Sequence, residues 1–218
     1  MHWRFDEVAD AVERVLGRAE EGLRLEQAVY GLDAMKETKL QAVLADGLAA
    51  DGFCEVVREA HYPSSLVHKR PSRQRCDLVL TPPGRPLVNA ETIDLFTAPN
   101  ACGPTEALWL EVKAAYQFHE GGRAHGGYGD QWRNATVKDL AKMEADPLIR
   151  HAGLLLIVFT GGRDVLAKDL ELFEDVLASK EVLAGFRQVR SIDILERNGH
   201  TTATVALWPT IQRGAELQ

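Results

Sequence analysis

A run of apolar residues, Leu154–Phe159, constrains the fold more than any other segment of the chain. Side chains on a strand alternate between two faces, so a strand that is apolar throughout has to be covered on both faces. Residues 160–162 then carry turn signals, and a helical pattern begins near Val165. The run therefore predicts a central strand between two layers of helices, which is the arrangement of an α/β protein.

The rest of the chain supplies the other elements of such a fold. Apolar spacing and turn residues predict helices over about 5–22, 33–51, 130–144 and 165–179, with Asp33 as the cap of the second helix. Strands are predicted over 53–62, 75–81 and 107–113, and the carboxyl end reads as a hairpin of 189–196 and 201–208 around Asn198-Gly199. We expect a mixed β-sheet flanked by helices in a single domain, 1–218. Its parts are an N-terminal helical extension (1–32), a core (33–180) and a C-terminal hairpin (181–218).

Composition excludes several other classes of protein. The 218 residues are 45% hydrophobic and 26% charged, as in ordinary globular domains. The acidic amino terminus differs from a signal peptide, and no apolar run is long enough for a membrane span, so we expect a cytoplasmic protein that does not bind membranes. The three cysteines, with no C-x-x-C, indicate neither a disulfide framework nor a structural zinc site.

Charge is unevenly distributed along the chain. The formal net charge is −7, and residues 1–57 carry 12 acidic and 6 basic side chains. The acidic N-terminal helices are candidates for packing against the sheet, or against a partner protein or a second copy in a homodimer. By contrast, the segment 58–75 is basic, and its Lys69, Arg70 and Arg73 could bind phosphates of a nucleic acid. The simpler interpretation of that cluster is a solvated loop.

A charged pair inside an apolar strand is the main chemical signal. Glu111 and Lys113 share one face of the strand 107–113, while Leu110 and Val112 occupy the other. Desolvating such a pair is costly, which favours a functional cleft. Asp77 lies in the preceding strand and would stand beside Glu111 if the two strands pair. Oxygen ligands of this kind suit Mg²⁺, with Mn²⁺ as a substitute.

Structural interpretations of the same residues remain open. Glu111 and Lys113 could form a surface pair on an edge strand, which would contribute little to stability. Asp77 could be a turn residue at the end of its strand. Glu37 lies on the apolar stripe of the second helix and needs a cation or a metal, or it is an exposed first-turn glutamate favoured by the helix dipole.

Taken in order, these residues resemble the PD-(D/E)xK nuclease superfamily, which includes restriction endonucleases, junction resolvases and repair exonucleases. The resemblance covers about residues 33–160 and consists of a helical acid (Glu37), a strand acid (Asp77) and Glu111-Val112-Lys113 in the next strand. It implies a restriction-endonuclease-like core. Cys76 stands where the family motif has its proline.

The resemblance also implies roles for individual residues. Asp77, Glu111 and the Val112 carbonyl would bind the metal, Glu37 would touch the metal or its waters, and Lys113 would be the catalytic lysine. Gln131 and Lys138 match polar positions on the following helix. Arg123, in a glycine-rich loop, and Arg133 could reach a nucleic-acid backbone.

Three functions follow from this reasoning. The first is a Mg²⁺-dependent nuclease, with DNA expected rather than RNA and endonucleolytic action rather than exonucleolytic. The second is a catalytically silent member of the same fold that binds nucleic acid or assembles a complex. The third is an unrelated α/β enzyme, such as a small-molecule phosphohydrolase. Asp77 and Glu111 carboxylates that lie far apart or on opposite faces would exclude both nuclease-fold interpretations.

Overall fold

The fold is a mixed six-stranded sheet with helices on both faces. A computed structural model describes residues 3–63, 74–88 and 99–211, apart from the side chains of residues 134 and 135. The candidate phosphate-binding residues Lys69, Arg70 and Arg73 lie outside the described residues. The helices and strands are α1 (Phe5–Leu25), a 3₁₀ turn (Leu32–Ala34), α2 (Glu37–Ala50), β1 (Glu55–His61), β2 (Arg75–Thr81), β3 (Leu108–Tyr116), α3 (Tyr128–Glu144), β4 (His151–Thr160), α4 (Arg163–Ser179), β5 (Gln188–Asp193) and β6 (Thr202–Pro209).

The order of the strands in the sheet is β1-β2-β3-β4-β6-β5. Strands β3 and β4 run parallel and are joined through α3, whereas the other neighbouring pairs run antiparallel. The α/β class and the mixed sheet are thereby confirmed. The C-terminal hairpin is also confirmed, although its first strand ends at Asp193, three residues before the predicted end.

Strand β4 is covered on both faces, as its sequence predicts. Leu155, Ile157 and Phe159 belong to the core that packs under α1 and α2. The alternate residues of the strand, from Leu154 to Val158, belong to a second core with side chains of α3 and α4. Each core contains fully buried large side chains, so both faces contribute hydrophobic stabilisation.

Helix α1 is part of the first core. Its Val8, Val12 and Leu16 are fully buried, and the helix packs on β5, β6 and α2. A buried ion pair joins Glu20 Oε1 to Arg197 Nη1 at 2.8 Å, which ties the helix to the loop after β5. The prediction that the N-terminal helix packs against the sheet is confirmed.

Asp33 does not cap the second helix, so that prediction is wrong. Helix α2 begins at Glu37 after Lys36, and Asp33 lies in the 3₁₀ turn before it. The Asp33 carboxylate pairs instead with Nδ1 of His200, at 3.0 Å, and Nε2 of His200 accepts the backbone N–H of Phe118. The Asp33 side chain, which the local sequence predicts to be a helix cap, is thus bound by a residue that is distant in the sequence, His200.

In the described part of the chain, no helix has the length and apolar character that crossing a membrane requires.

Candidate metal and catalytic site

The site forms where β3 runs past the end of its pairing with β2. The two strands pair only from Leu78–Leu110 to Leu80–Leu108, while β3 continues to Tyr116. Backbone N–H groups along this free edge need other partners. They donate to side chains of three different elements: Val112 N–H to Asp77 Oδ2 (2.8 Å), Ala114 N–H to Glu37 Oε2 (3.1 Å) and Tyr116 N–H to Gln131 Oε1 (2.9 Å). Residues far apart in the sequence converge there because each replaces part of a missing strand.

The carboxyl groups of Asp77 and Glu111 stand together at this edge. The two side chains interact electrostatically, each affecting the pKa of the other, and both are largely buried. Burial raises the pKa of Asp77 above its ordinary range. Burial, followed by the negative charge of Asp77, likewise raises the pKa of Glu111. Ionising both carboxyls is therefore unfavourable unless a cation lies beside them.

Two protein groups hold Glu111 in place. The Tyr62 hydroxyl donates to Glu111 Oε1 at 2.6 Å, and the Lys142 ammonium donates to the same oxygen at 2.7 Å. Lys142 also lies 4.7 Å from the centre of the Tyr62 ring, a cation–π distance. Only 4% of the Glu111 side chain is exposed, so these bonds supply much of the compensation for its burial.

Lys113 lies among three carboxylates. Its Nζ is 3.5 Å from Glu37 Oε1, 3.8 Å from Asp77 Oδ2 and 3.5 Å from Asp139 Oδ2. Burial alone would lower the pKa of Lys113, but the surrounding carboxylates raise it above its ordinary value. The surrounding carboxylates therefore favour the charged ammonium form of Lys113.

The sequence reasoning missed Lys142, Asp139 and Tyr62. Lys142 and Asp139 lie three residues apart on α3 and pair with each other at 3.3 Å. A signal for Lys142 was present, because it follows Gln131 by eleven residues, close to three helical turns, and so shares its helix face. Tyr62 comes directly after β1, where no local pattern distinguishes it.

The candidate nucleic-acid residues divide into two groups. Gln131 belongs to the site, since it binds the end of β3 and its Nε2 lies 2.8 Å from His125 Nε2. Arg133 instead stacks over the Trp132 ring, with its guanidinium carbon 5.1 Å from the ring centre. Arg123 and Lys138 are exposed. Among the described residues, none of these three cations forms an ion pair with Asp77, Glu111 or Glu37.

The acids offer the donor chemistry that Mg²⁺ uses. Among the described residues, no group of three or more His, Cys, Asp or Glu side chains is arranged to hold a metal ion. Mg²⁺ is commonly bound by one or two carboxylates and keeps several waters, so the Asp77–Glu111 pair is sufficient in number. The Val112 N–H donates to Asp77, and the Val112 carbonyl faces the same edge of β3. This carbonyl could therefore supply a third oxygen ligand to the ion.

Comparisons with protein-family models, with curated proteins and with solved structures found no significant match to this chain.

Proposed function

We propose that the protein is a Mg²⁺-dependent nuclease with a restriction-endonuclease-like core, which hydrolyses phosphodiester bonds in DNA. The observation that supports the proposal most is the meeting of Asp77, Glu111 and Lys113 at the free edge of β3. Carboxyls far apart or on opposite faces would have excluded a site of this kind. Their proximity meets that geometric requirement of the proposal.

Each residue has a role in the proposed reaction. Asp77, Glu111 and the Val112 carbonyl would hold Mg²⁺, and Glu37 would bind its waters. The ion, when bound, would polarise the phosphodiester and lower the pKa of a water. The Lys113 ammonium would orient the attacking water and offset charge that develops on the phosphate. Lys142 would favour the ionised form of Glu111 and hold its carboxyl in position.

A catalytically silent subunit of the same fold is the second candidate. Two observations favour it: Lys113 and Lys142 already pair with Asp77 and Glu111, and the net charge of −7 opposes nucleic acid, whereas an isolated DNA enzyme usually carries more positive surface. On this alternative, Asp77, Glu37 and Gln131 serve only to satisfy the edge of β3.

Cleavage of DNA separates the two candidates. Supercoiled plasmid and labelled single- and double-stranded oligonucleotides are incubated with Mg²⁺ or Mn²⁺ and with wild type, Lys113→Ala or Asp77→Asn. Asparagine can still accept the Val112 N–H, so Asp77→Asn removes charge while preserving the strand contact. Exposed positions of α4 provide matched controls, Lys168→Ala and Asp164→Asn.

We expect wild type and both controls to cut, and each site variant to be slower by about 100-fold or more. Nicked or linear plasmid would identify an endonuclease. If wild type cuts none of these substrates, the nuclease proposal is wrong for them and the silent subunit becomes the better account. Cleavage that both site variants retain would also contradict the proposal.

A further inference from the structure

A cavity of about 490 Å³ opens beyond the carboxyl end of β3. Its size is within the range of small-molecule sites. Five of its twelve lining residues carry planar rings: Tyr30, Tyr116, Phe118, His119 and His125. Ring faces are the surfaces on which nucleic-acid bases stack.

The cavity adjoins the candidate metal site. Tyr116 lies three residues after Lys113 on β3, a separation of roughly 10 Å along a strand, and its side chain is on the opposite face of the sheet. Lys36, which immediately precedes Glu37, and Gln131 line the cavity as well. A strand whose phosphate lay beside Asp77 and Glu111 could therefore place a neighbouring nucleotide in it.

Part of the wall is fixed in advance of any ligand. Tyr116 stacks on Phe159 with ring centres 5.1 Å apart, and its hydroxyl donates to the Met35 carbonyl. The His119 and His125 rings stack at 3.9 Å, and Gln131 contacts His125. A rigid wall lowers the entropic cost of binding a flat ligand.

Charge favours a neutral occupant over a phosphate. Lys36 contributes a positive charge to the lining, while Asp33 and Glu120 contribute negative ones. With neutral histidines the lining is formally negative, which opposes an anion. A nucleobase is neutral and planar, and it suits both the rings and the charge.

We propose that this cavity receives one unpaired nucleobase of the substrate strand, next to the phosphate that lies at the Asp77–Glu111 pair. The inference rests on the proposed function and adds a substrate class to it, namely single-stranded DNA or a junction with an unpaired nucleotide. A base held in a duplex enters less readily, because it must first be unstacked and unpaired at a cost in free energy.

Binding in EDTA tests the inference apart from cleavage. Fluorescence anisotropy compares a labelled 12-residue oligothymidylate with an abasic chain of equal length and charge, and with a duplex. The variants are Tyr30→Ala and His119→Ala, both at exposed positions, with Phe186→Ala as an aromatic control that is 94% exposed and outside the cavity lining.

The oligothymidylate should bind wild type at least about fivefold more tightly than the abasic chain or the duplex, since one base stack is worth about 5- to 150-fold in affinity. Tyr30→Ala and His119→Ala should each reduce that advantage, and Phe186→Ala should leave it unchanged. Equal binding of the three probes, no binding of the oligothymidylate, or unaltered binding by both cavity variants would overturn the inference. The binding assay contains no metal, so its result is independent of cleavage. The inference can fail while DNA cleavage succeeds, and base binding can be observed while cleavage fails.

Discussion

Replacing Lys142 with methionine isolates the electrostatic balance of the site. The substitution keeps an unbranched side chain on α3 but removes the ammonium that lies 2.7 Å from Glu111 Oε1. Glu111 then retains the Tyr62 hydroxyl as a partner, at 2.6 Å, with little access to solvent. We expect the variant to fold and to be markedly less stable than wild type when no metal is present.

The expected loss can be bounded from the pKa of Glu111. Removing one partner of a buried ion pair typically costs about 3–5 kcal/mol. Protonation of the Glu111 carboxyl would avoid this cost. Keeping it protonated costs about 1.36 kcal/mol for each pH unit above its ordinary pKa of 4.5. The ceiling is therefore about 3.4 kcal/mol at pH 7 and below about 1 kcal/mol at pH 5.

The sign of the pH dependence follows from proton uptake. Removing Lys142 removes a charge that lowers the pKa of Glu111, so we expect the folded variant to retain a proton on Glu111 to higher pH than the unfolded chain, whose ordinary pKa is 4.5. Raising the pH therefore favours unfolding, and the deficit relative to wild type grows from pH 5 to pH 7. A divalent cation that binds the folded site should recover part of the loss.

Urea denaturation followed by tryptophan fluorescence measures these quantities, since Trp109, Trp132 and Trp208 are buried. Lys138→Met, at an exposed position of the same helix, is the matched control and should change the free energy of unfolding by less than about 0.5 kcal/mol. In a Glu111→Gln background, Lys142→Met should cost much less. A loss under about 1 kcal/mol at pH 7, or one that persists in that background, would contradict the assigned pairing of Lys142 with Glu111.

Two further predictions concern groups away from the metal site. His200→Ala should lower the free energy of unfolding by about 2–4 kcal/mol, because it leaves the buried Asp33 carboxylate and the Phe118 N–H without their partner. His119→Ala is the exposed control. Coinciding urea curves for His200→Ala and wild type would contradict the stabilising role of His200. The native thiols should resist a thiol reagent at pH 8 and all react in denaturant, because the three cysteines are buried and burial raises the pKa of Cys54 to about 12; rapid reaction of the native protein would count against the described burial.

Much of the fold follows from local sequence patterns. Strand β2 has the bounds that its sequence predicts, 75–81, because turn residues enclose a short apolar run. The two-sided burial of β4 follows from its unbroken apolar sequence. Asp33 shows the limit of such reasoning, since its partner His200 is 167 residues away and no local pattern links them.

The site was predictable in its residues and not in its geometry. Asp77, Glu111, Lys113 and Glu37 carry charge where burial is expected, and that conflict marks them in the sequence. Their convergence depends on β2 ending its pairing before β3 does, which local patterns cannot express. The same long-range geometry brings Lys142 to Glu111. Its helix face, shared with Gln131, could be predicted from the sequence, whereas its partner could not.

Mn²⁺ binding to the DNA-free protein, measured by electron paramagnetic resonance at neutral pH, tests the proposed metal site without any substrate. Wild type and Asp164→Asn should bind Mn²⁺ at the Asp77–Glu111 pair, Mg²⁺ should compete, and Asp77→Asn should abolish binding. Mn²⁺ binding that Asp77→Asn leaves intact, or no binding by wild type, would contradict the assignment of a metal site at the free edge of β3.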